Sequence, residues 1–167
     1  MAPNHSNTAR SQTARATRQL RAMLTRDPAW VREAQRLRHD VFAAEYGASF
    51  GSSEPGIDAD PFDPFCEHLM VVDHYNGQLV ATTRLLHQDD AQAAGGFYSE
   101  SEFDLSNLYT LPGKIVEMGR TCVHPDYQNG ATMAVLWAGL AEYLKTLDIG
   151  FLIGCASIHI QDSGQRA

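Results

Sequence analysis

The chain has 167 residues, enough for one globular domain and short for two. Apolar residues make up 44% and charged residues 20%, an ordinary balance for a folded protein, and no run of 18 apolar residues predicts a membrane span. The three cysteines, Cys66, Cys122 and Cys155, include no C-x-x-C pair, which argues against a disulfide framework or a metal site and predicts reduced thiols in a cytoplasmic protein.

Charge is distributed unevenly along the chain. The net charge is −7, yet residues 1–38 contain eight arginines and only two acidic residues. This asymmetry predicts a basic arm, residues 1–25, attached to an acidic domain, residues 26–167. The arm could contact the anionic inner face of the cell membrane or an acidic carrier protein. The alternative is a flexible, solvated tail. No nucleic-acid partner is expected.

The first predicted element is a helix. Asp27-Pro28 is an N-cap followed by proline at the first helical position, and apolar residues then recur at helical spacing until Gly47. Residues 48–65 are rich in Gly, Ser, Pro and Asp and are typical of a loop.

A β-hairpin is predicted next. His68 to His74 is β-rich, Asn76-Gly77 predicts a two-residue turn, and Gln78 to Leu86 is the return strand. The small residues of 87–96 indicate a loop. Residues 96–105 are aromatic and acidic without a clear period, and their aromatic residues are expected to pack rather than to gate a site.

The second half of the chain predicts a strand–helix–strand unit. Lys114 to Val123 is typical of a strand, and Ala131 to Leu147 of an amphipathic helix with Trp137 in the core. Gly150 to Ile158 is continuously apolar, as in a strand buried on both faces. A strand–helix–strand unit after a hairpin implies a mixed sheet with a right-handed crossover.

The strand 114–123 carries the most informative charges. Glu117 lies in the middle of a strand that should be largely buried, so it needs a partner or a function. On a regular strand Arg120 would point to the opposite face. A bulge near Gly119 would bring Arg120 to the same side and splay the strand open. The helix that follows offers unpaired N–H groups, which favour anions. A buried Glu–Arg pair can also be purely structural.

This arrangement resembles a known family. The element order, and Val123-x-Pro125-x-Tyr127-Gln128 leading into a helix, resemble the acyl-thioester-binding region of GNAT acyltransferases. The resemblance implies an α/β fold, with a mixed, mostly antiparallel sheet flanked by helices and a splayed central strand. Four further motifs are similar to those of acyl-homoserine-lactone synthases: Arg38-x-x-x-Phe42, Asp60-x-x-Asp63, Arg84-Leu85-Leu86 and Glu117-x-Gly119-Arg120.

Two segments resemble a narrower group, the ornithine Nα-acyltransferases that make lyso-ornithine lipid: residues 96–105 and Gly154-Cys-Ala-Ser157. The implied reaction moves a long (3-hydroxy)acyl group from acyl carrier protein to the α-amine of ornithine. Glu117 would accept the amine proton beside Arg120. The resemblance implies a charged cluster, which includes Arg120, that orders an N-terminal lid and holds the amino-acid substrate. It assigns substrate binding to Arg38, Phe42, Asp60, Asp63 and Arg84. It assigns the acyl donor to Cys122, Val123, Gln128, Asn129, Gly130, Ala131 and Thr132, with Cys122 and Val123 supplying backbone oxyanion donors.

The sequence departs from the family pattern at two places. The glycines of the coenzyme A pyrophosphate loop are missing after Gln128, which favours acyl carrier protein over acyl-CoA as donor; no bound cofactor is expected. The chain also stops early, which predicts a domain whose C-terminal part is missing. Alternatives remain open: an acyl-homoserine-lactone synthase, disfavoured because residues 46–50 contain no tryptophan, another N-acyl amino acid synthase, or a remnant that only binds the carrier or a membrane.

Overall fold

In a computed structural model, which describes residues 19–46, 54–147 and 149–156, the chain forms a five-stranded sheet in the order β1-β2-β3-β4-β5. The first four strands are antiparallel to their neighbours, and β5 runs parallel to β4. The mixed sheet flanked by helices confirms the predicted fold class. Its elements are β1 (Leu20–Thr25), α1 (Pro28–Tyr46), β2 (Glu67–Asp73), β3 (Gln78–His87), α2 (Gln88–Ala94), β4 (Lys114–Val123), α3 (Gly130–Thr146) and β5 (Ile149–Ile153).

The sheet has a core on each face. In β2, Leu69 and Val71 point toward α3, and Met70 and Val72 point toward α1, as the alternation of side chains along a strand requires. A third cluster, around Ile115, lies where α2 and the surrounding turns cover the sheet. No helix in these described ranges is long and apolar enough to cross a membrane.

The domain begins earlier than the sequence predicted. Leu20–Thr25, placed in the flexible arm, is instead β1, which pairs antiparallel with β2 from Leu20↔Asp73 to Thr25↔His68. The segment has no strong alternation of its own, so its strand conformation depends on hydrogen bonds from a neighbour 43 or more residues away. The rest of the arm, residues 1–18, lies outside the described residues and stays a prediction.

The hairpin is in the predicted place but has a longer turn. Asp73 pairs with Gln78, so four residues, His74 to Gly77, form the loop. Only Gly77 among them has a positive φ, 74°. The side chains of Asp73 and Asn76 accept hydrogen bonds from backbone N–H groups two residues on, at 2.9 and 3.0 Å. These Asx turns close the loop without the two-residue geometry.

Residues 87–96, predicted as a loop, contain a short helix, α2. The His87 side chain caps its start by accepting from Asp89 N at 3.2 Å, and Gly95, at φ 90°, ends it in the left-handed conformation. Asp89 and Asp90 in the first turn suit the positive end of the helix dipole. A small-residue composition therefore concealed a capped helix.

β5 and α3 are less covered than predicted. β5 alternates between half-buried and exposed residues and ends at Ile153, and among the described residues no strand pairs with its outer edge. Trp137, predicted in the core, is 50% exposed. Apolar spacing identified the helix correctly, but it cannot tell which apolar side chains have a neighbour. Residues 157 and 158, the predicted end of the strand, lie outside the described residues.

Candidate active site

The bulge in the central strand is present, one residue beyond Gly119. Two residues of β4, Arg120 and Thr121, lie opposite Thr83 of β3. Arg120 has φ 52°, the only positive φ among the non-glycine residues that the structure describes. The Thr83 hydroxyl fills the irregular space, 2.7 Å from the Thr121 hydroxyl and 3.3 Å from the Gly119 carbonyl. These polar partners stabilise a conformation that costs free energy outside glycine.

The sheet opens beside this bulge. β5 pairs with β4 only as far as Glu117↔Ile153, whereas β4 continues to Val123. The strands therefore enclose a cavity of about 660 Å³ where pairing stops. Its lining comes from α1, β3, the turn after α2, and both splayed strands: Phe42, Arg84, Leu86, Tyr98, residues 117–121 and residues 152–156. The predicted splay is confirmed, and Glu117 and Arg120 line the same cavity.

Glu117 is 6% exposed and holds a turn against the sheet. Its Oε2 accepts from Tyr98 N at 2.8 Å, and its Oε1 accepts from Ser99 N at 2.7 Å and from the Ser99 hydroxyl. Among the described residues, Oε1 thus has two donors, while Oε2 has one and keeps a lone pair for another partner. The aromatic segment without a period is therefore ordered by one carboxylate. Phe97 is buried as predicted, but Tyr98 lines the cavity and Phe103 is exposed.

Three arginines and three aspartates form an ionic cluster on the α1 side of the sheet, which we call the Arg–Asp cluster: Arg38, Arg84, Arg120, Asp58, Asp60 and Asp63. Its formal charges cancel. Every arginine of the cluster pairs with two of the aspartates, so the loop that carries the aspartates is fastened to a helix and to two strands.

Arg38 is the buried centre of the Arg–Asp cluster, with 1% of its side chain exposed. It donates to both oxygens of Asp63 at 2.9 and 2.8 Å, to Asp58 Oδ2 at 3.1 Å, and to the Asp58 carbonyl. Gln35, one helical turn earlier, donates to Asp63 at 2.9 Å. Arg38 and Asp63, predicted to bind substrate, lie outside the cavity lining, so they order the loop that walls the site.

Arg84 and Arg120 share Asp60. Arg84 pairs with Asp60 Oδ1 and, at 3.1 Å, with Asp63, and its guanidinium lies 5.4 Å from the centre of the Phe62 ring. Arg120 reaches Asp60 Oδ2 only at 3.3 and 3.4 Å, and 35% of its side chain is exposed. Both arginines line the cavity, but only Arg120 combines exposure with loose internal contacts.

Neighbouring arginines lower the pKa of two carboxyls of the Arg–Asp cluster, Asp60 and Asp63. Burial would raise the pKa of the Asp63 carboxyl, but hydrogen bonds and charge from Arg38, with the charge of Arg84, outweigh it and hold that pKa well below its usual range. For Asp60 too, burial is opposed, and Arg84 lowers the pKa. Burial lowers the pKa of the adjacent His68. Because positive charges adjoin the Asp60 and Asp63 carboxyls, their charged forms are favoured although both groups are buried.

The residues predicted to bind the acyl donor lie beyond the cavity. The Cys122 side chain belongs to the core under α1. His124 N donates to Val80 O at 2.8 Å. Since backbone donors alternate along a strand, the Cys122 N–H points toward β3, and the Val123 N–H points away from it, toward the edge of β4 that no described strand covers. The geometry therefore suits Val123, and not Cys122, as an oxyanion donor.

The start of α3 is already capped. Asn129 Oδ1 accepts from Ala131 N at 3.0 Å and from Thr132 N at 3.1 Å, so two N–H groups predicted to face a phosphate are bound to a side chain. Thr132 is fully buried, and the Gln128 amide lies 3.5 Å from the Val123 carbonyl. Within the described part of the chain, the Gly130 N–H is the donor of this first turn that meets no acceptor, so it is the one left for an anion.

Sequence reasoning missed three residues of this site. Asp58 precedes the two predicted aspartates in the same acidic loop, and Gln35 shares the face of α1 with Arg38. The spacing of both residues from the predicted ones could therefore have identified them. Ser99 had none, because a serine in an aperiodic segment is common and its bond to Glu117 spans 18 residues.

Residues 37–138 match the model of the Acetyltransferase (GNAT) domain, and the chain belongs to this family. It is similar to an L-ornithine N(alpha)-acyltransferase of Rhodobacter capsulatus, with 40% identity over 146 residues, covering 83% of this chain and 56% of that protein. It is also similar to one of Brucella abortus, with 38% identity over 149 residues, covering 84% and 53%. The chain thus spans about half the length of the curated relatives it matches.

A solved structure shares the fold. The acyl-homoserine-lactone synthase LasI superposes with a TM-score of 0.55 at 18% identity, covering 81% of this chain and 70% of that one. At this identity the likeness concerns the fold alone, and it agrees with the architecture predicted from the sequence.

Proposed function

We propose that this chain carries the transfer site of an N-acyltransferase that moves a long (3-hydroxy)acyl group from acyl carrier protein to the α-amine of ornithine. The observation that carries the proposal is the cavity between the splayed strands, which both Glu117 and Arg120 line. The names of the similar proteins support ornithine as the acceptor.

The acceptor needs groups that recognise an amino acid. Its α-carboxylate would pair with Arg120, whose long contacts to Asp60 leave donors available at the cavity surface. Arg84, 7% exposed in its side chain and bound to two aspartates, would fix Asp60 rather than the substrate. This division predicts that Arg120 governs KM for the amino acid.

The reaction needs a base because an ammonium cannot attack a thioester. Glu117 Oε2, with one hydrogen bond and a free lone pair, would accept the proton directly or through a water. The neutral amine then attacks the thioester carbonyl, the carbon–sulfur bond breaks, and the second proton of the nitrogen passes to the departing thiolate, which gives the amide and the free thiol. The Val123 N–H, on the edge of β4 that is unpaired within the described residues, would stabilise the oxyanion.

The donor surface favours a carrier-bound thioester over coenzyme A. No Lys or Arg occurs between residues 121 and 144, the stretch that includes the start of α3. The nucleotide phosphates of coenzyme A would therefore meet no basic side chain from this stretch, and Asn129 already holds two N–H groups of the helix. A carrier protein presents a single phosphodiester on its pantetheine arm, which requires fewer basic side chains and N–H donors than the phosphates of coenzyme A.

The reaction is tested by incubating the purified chain with a 3-hydroxyacyl carrier protein and ornithine, and measuring N-acylornithine by mass spectrometry. Glu117→Gln should lower kcat at least 100-fold, because general-base catalysis contributes about 10²–10⁴-fold. Glu102→Gln, an exposed carboxylate of the neighbouring turn, is the matched control and should keep wild-type turnover.

Several outcomes count against the proposal. Undiminished turnover by Glu117→Gln would remove the base. A lactone product, or transfer to other amino acids in preference to ornithine, would replace the acceptor. Absence of any acylated amine would leave the chain as a carrier-binding or membrane-binding domain.

We also propose that the basic residues before Gln19 contact an anionic surface, either the carrier protein or the membrane that receives the lipid. Binding of the chain to vesicles of anionic lipid, and to the carrier, should then weaken between 50 and 300 mM salt by roughly tenfold or more, since exposed charges are screened beyond the Debye length. Binding that is independent of salt, or unchanged in a chain that starts at Gln19, contradicts this part of the proposal.

A further inference from the structure

The Glu117 carboxylate has one side-chain partner among its three donors, and that partner is Ser99. The Ser99 hydroxyl and amide both bind Oε1, the amide at 2.7 Å, and Ser99 itself is only 4% exposed. The Tyr98 amide binds Oε2 at 2.8 Å. Backbone amides alone would tie the turn to the strand, so the hydroxyl adds a specific constraint on one oxygen.

The direction of this hydrogen bond is fixed by its surroundings. Ser99 Oγ donates its hydrogen to Glu117 Oε1. Cys155 Sγ lies 3.4 Å from Ser99 Oγ on the other side. Since the hydroxyl has already used its one hydrogen, the thiol donates to the Ser99 oxygen. Each donor in such a chain strengthens the next.

The two carboxylate oxygens are therefore unequal. Oε1 accepts two hydrogen bonds, which use both of its lone pairs, whereas Oε2 accepts one. We propose that Ser99 is a positioning residue for acyl transfer, which locks the Glu117 carboxylate so that Oε2 is the oxygen presented to the incoming amine. This inference rests on the proposed function, because it specifies how the proposed base is held.

Loss of the hydroxyl has a defined consequence. The ionised carboxylate would keep two amide donors but lose an O–H donor, which makes it easier to protonate. Each oxygen would then accept one hydrogen bond, so Oε2 would no longer be distinguished from Oε1 as the oxygen presented to the amine. Both effects act on the chemical step and leave the amino-acid contact at Arg120 in place.

The test compares Ser99→Ala with Ser101→Ala in the same turn. Ser101 is the matched control because its exposed hydroxyl bonds the Tyr98 carbonyl at 2.7 Å and has no contact with Glu117. The side-chain carbon of Glu117 is followed by ¹³C NMR as pH is varied. In Ser99→Ala the protonation midpoint should rise by about one pH unit, the size expected for one lost bond to a charged group, and in Ser101→Ala it should stay at the wild-type value.

Kinetics give the second readout. In Ser99→Ala the acidic limb of kcat/KM should move to higher pH by the same interval, and kcat should fall about tenfold with KM for ornithine unchanged. Ser99→Cys, which keeps the size of the side chain but donates weakly, should shift the midpoint in the same direction by less, and it serves if Ser99→Ala does not fold.

The outcomes are separable from those of the proposed function. A Glu117 midpoint that is the same in wild type and both Ser99 variants overturns the inference, whichever amine is the acceptor. A midpoint that rises with unchanged kcat shows a structural bond only and also overturns it. Failure of the wild type to acylate ornithine counts against the proposed acceptor. The effects of the Ser99 variants on kcat and KM are then measured with the amine that is acylated.

Discussion

The most demanding prediction concerns Arg38, which we expect to be essential for the stability of the wall of the site. Arg38→Met removes four hydrogen bonds to Asp58 and Asp63 and keeps most of the apolar stem. The two carboxylates are only 3% and 4% exposed, so water cannot replace the lost partner. Breaking one side of a buried ion pair costs about 3–5 kcal/mol, a large fraction of the ~5–15 kcal/mol that a domain has in total.

The measurement is urea unfolding of wild type, Arg38→Met and Arg36→Met followed by circular dichroism. Arg36 is on the same helix, but its pair with Glu33 is about half exposed on both sides, so its loss should cost no more than about 1 kcal/mol. A second comparison adds Asp63→Asn to Arg38→Met, which should cost less than the two single changes together, because the pair is then removed as a unit. A loss below ~1 kcal/mol in Arg38→Met would refute the reasoning that the cluster holds the loop.

Two further predictions test other parts of the fold. His68 is fully buried, its Nδ1 has no hydrogen-bond partner among the described residues, and burial lowers its pKa from 6.5. The unfolded chain therefore binds a proton more readily than the folded one, and the free energy of unfolding should fall as pH drops below about 6.5. Equal free energies of unfolding at pH 7.5 and 5.5 would contradict this. Gly139→Ala normally favours a helix by about 1 kcal/mol, but here the new Cβ would lie 2.6 Å from Ala22 Cβ of β1, so the melting temperature should fall; a rise would mean that β1 does not pack against α3 as described.

The Arg–Asp cluster and the Glu117 contacts each hold one wall of the cavity. The cluster fastens the acidic loop on one side of the opening, and Glu117 fastens the turn at Tyr98 and Ser99 on the other. Both anchors are buried, so each wall is fixed by contacts between distant parts of the chain. Arg120 lies between them, with the most exposed side chain of the three arginines.

The sequence alone located the strand 114–123, its bulge and the helix that follows, because these depend on local signals. A charge in a buried strand demands a partner, and a glycine beside it permits an irregular backbone. The family resemblance then supplied the arginines and aspartates that could be those partners. The resemblance did not show which arginine pairs with which aspartate, because the sequence is equally compatible with Arg38 binding the substrate and with Arg38 binding Asp63.

Only the tertiary structure decided the rest, for reasons that are physical. β1 is a strand because β2 offers it hydrogen bonds, and its own residues show little preference. Ser99 matters because its hydroxyl and amide meet a carboxylate 18 residues away, a contact with no sequence period. Asn129 is a helix cap that occupies N–H groups otherwise open to a phosphate. Sequence periodicity identifies faces and charges, whereas the partner of each buried polar group is chosen by segments that meet only when the chain is folded.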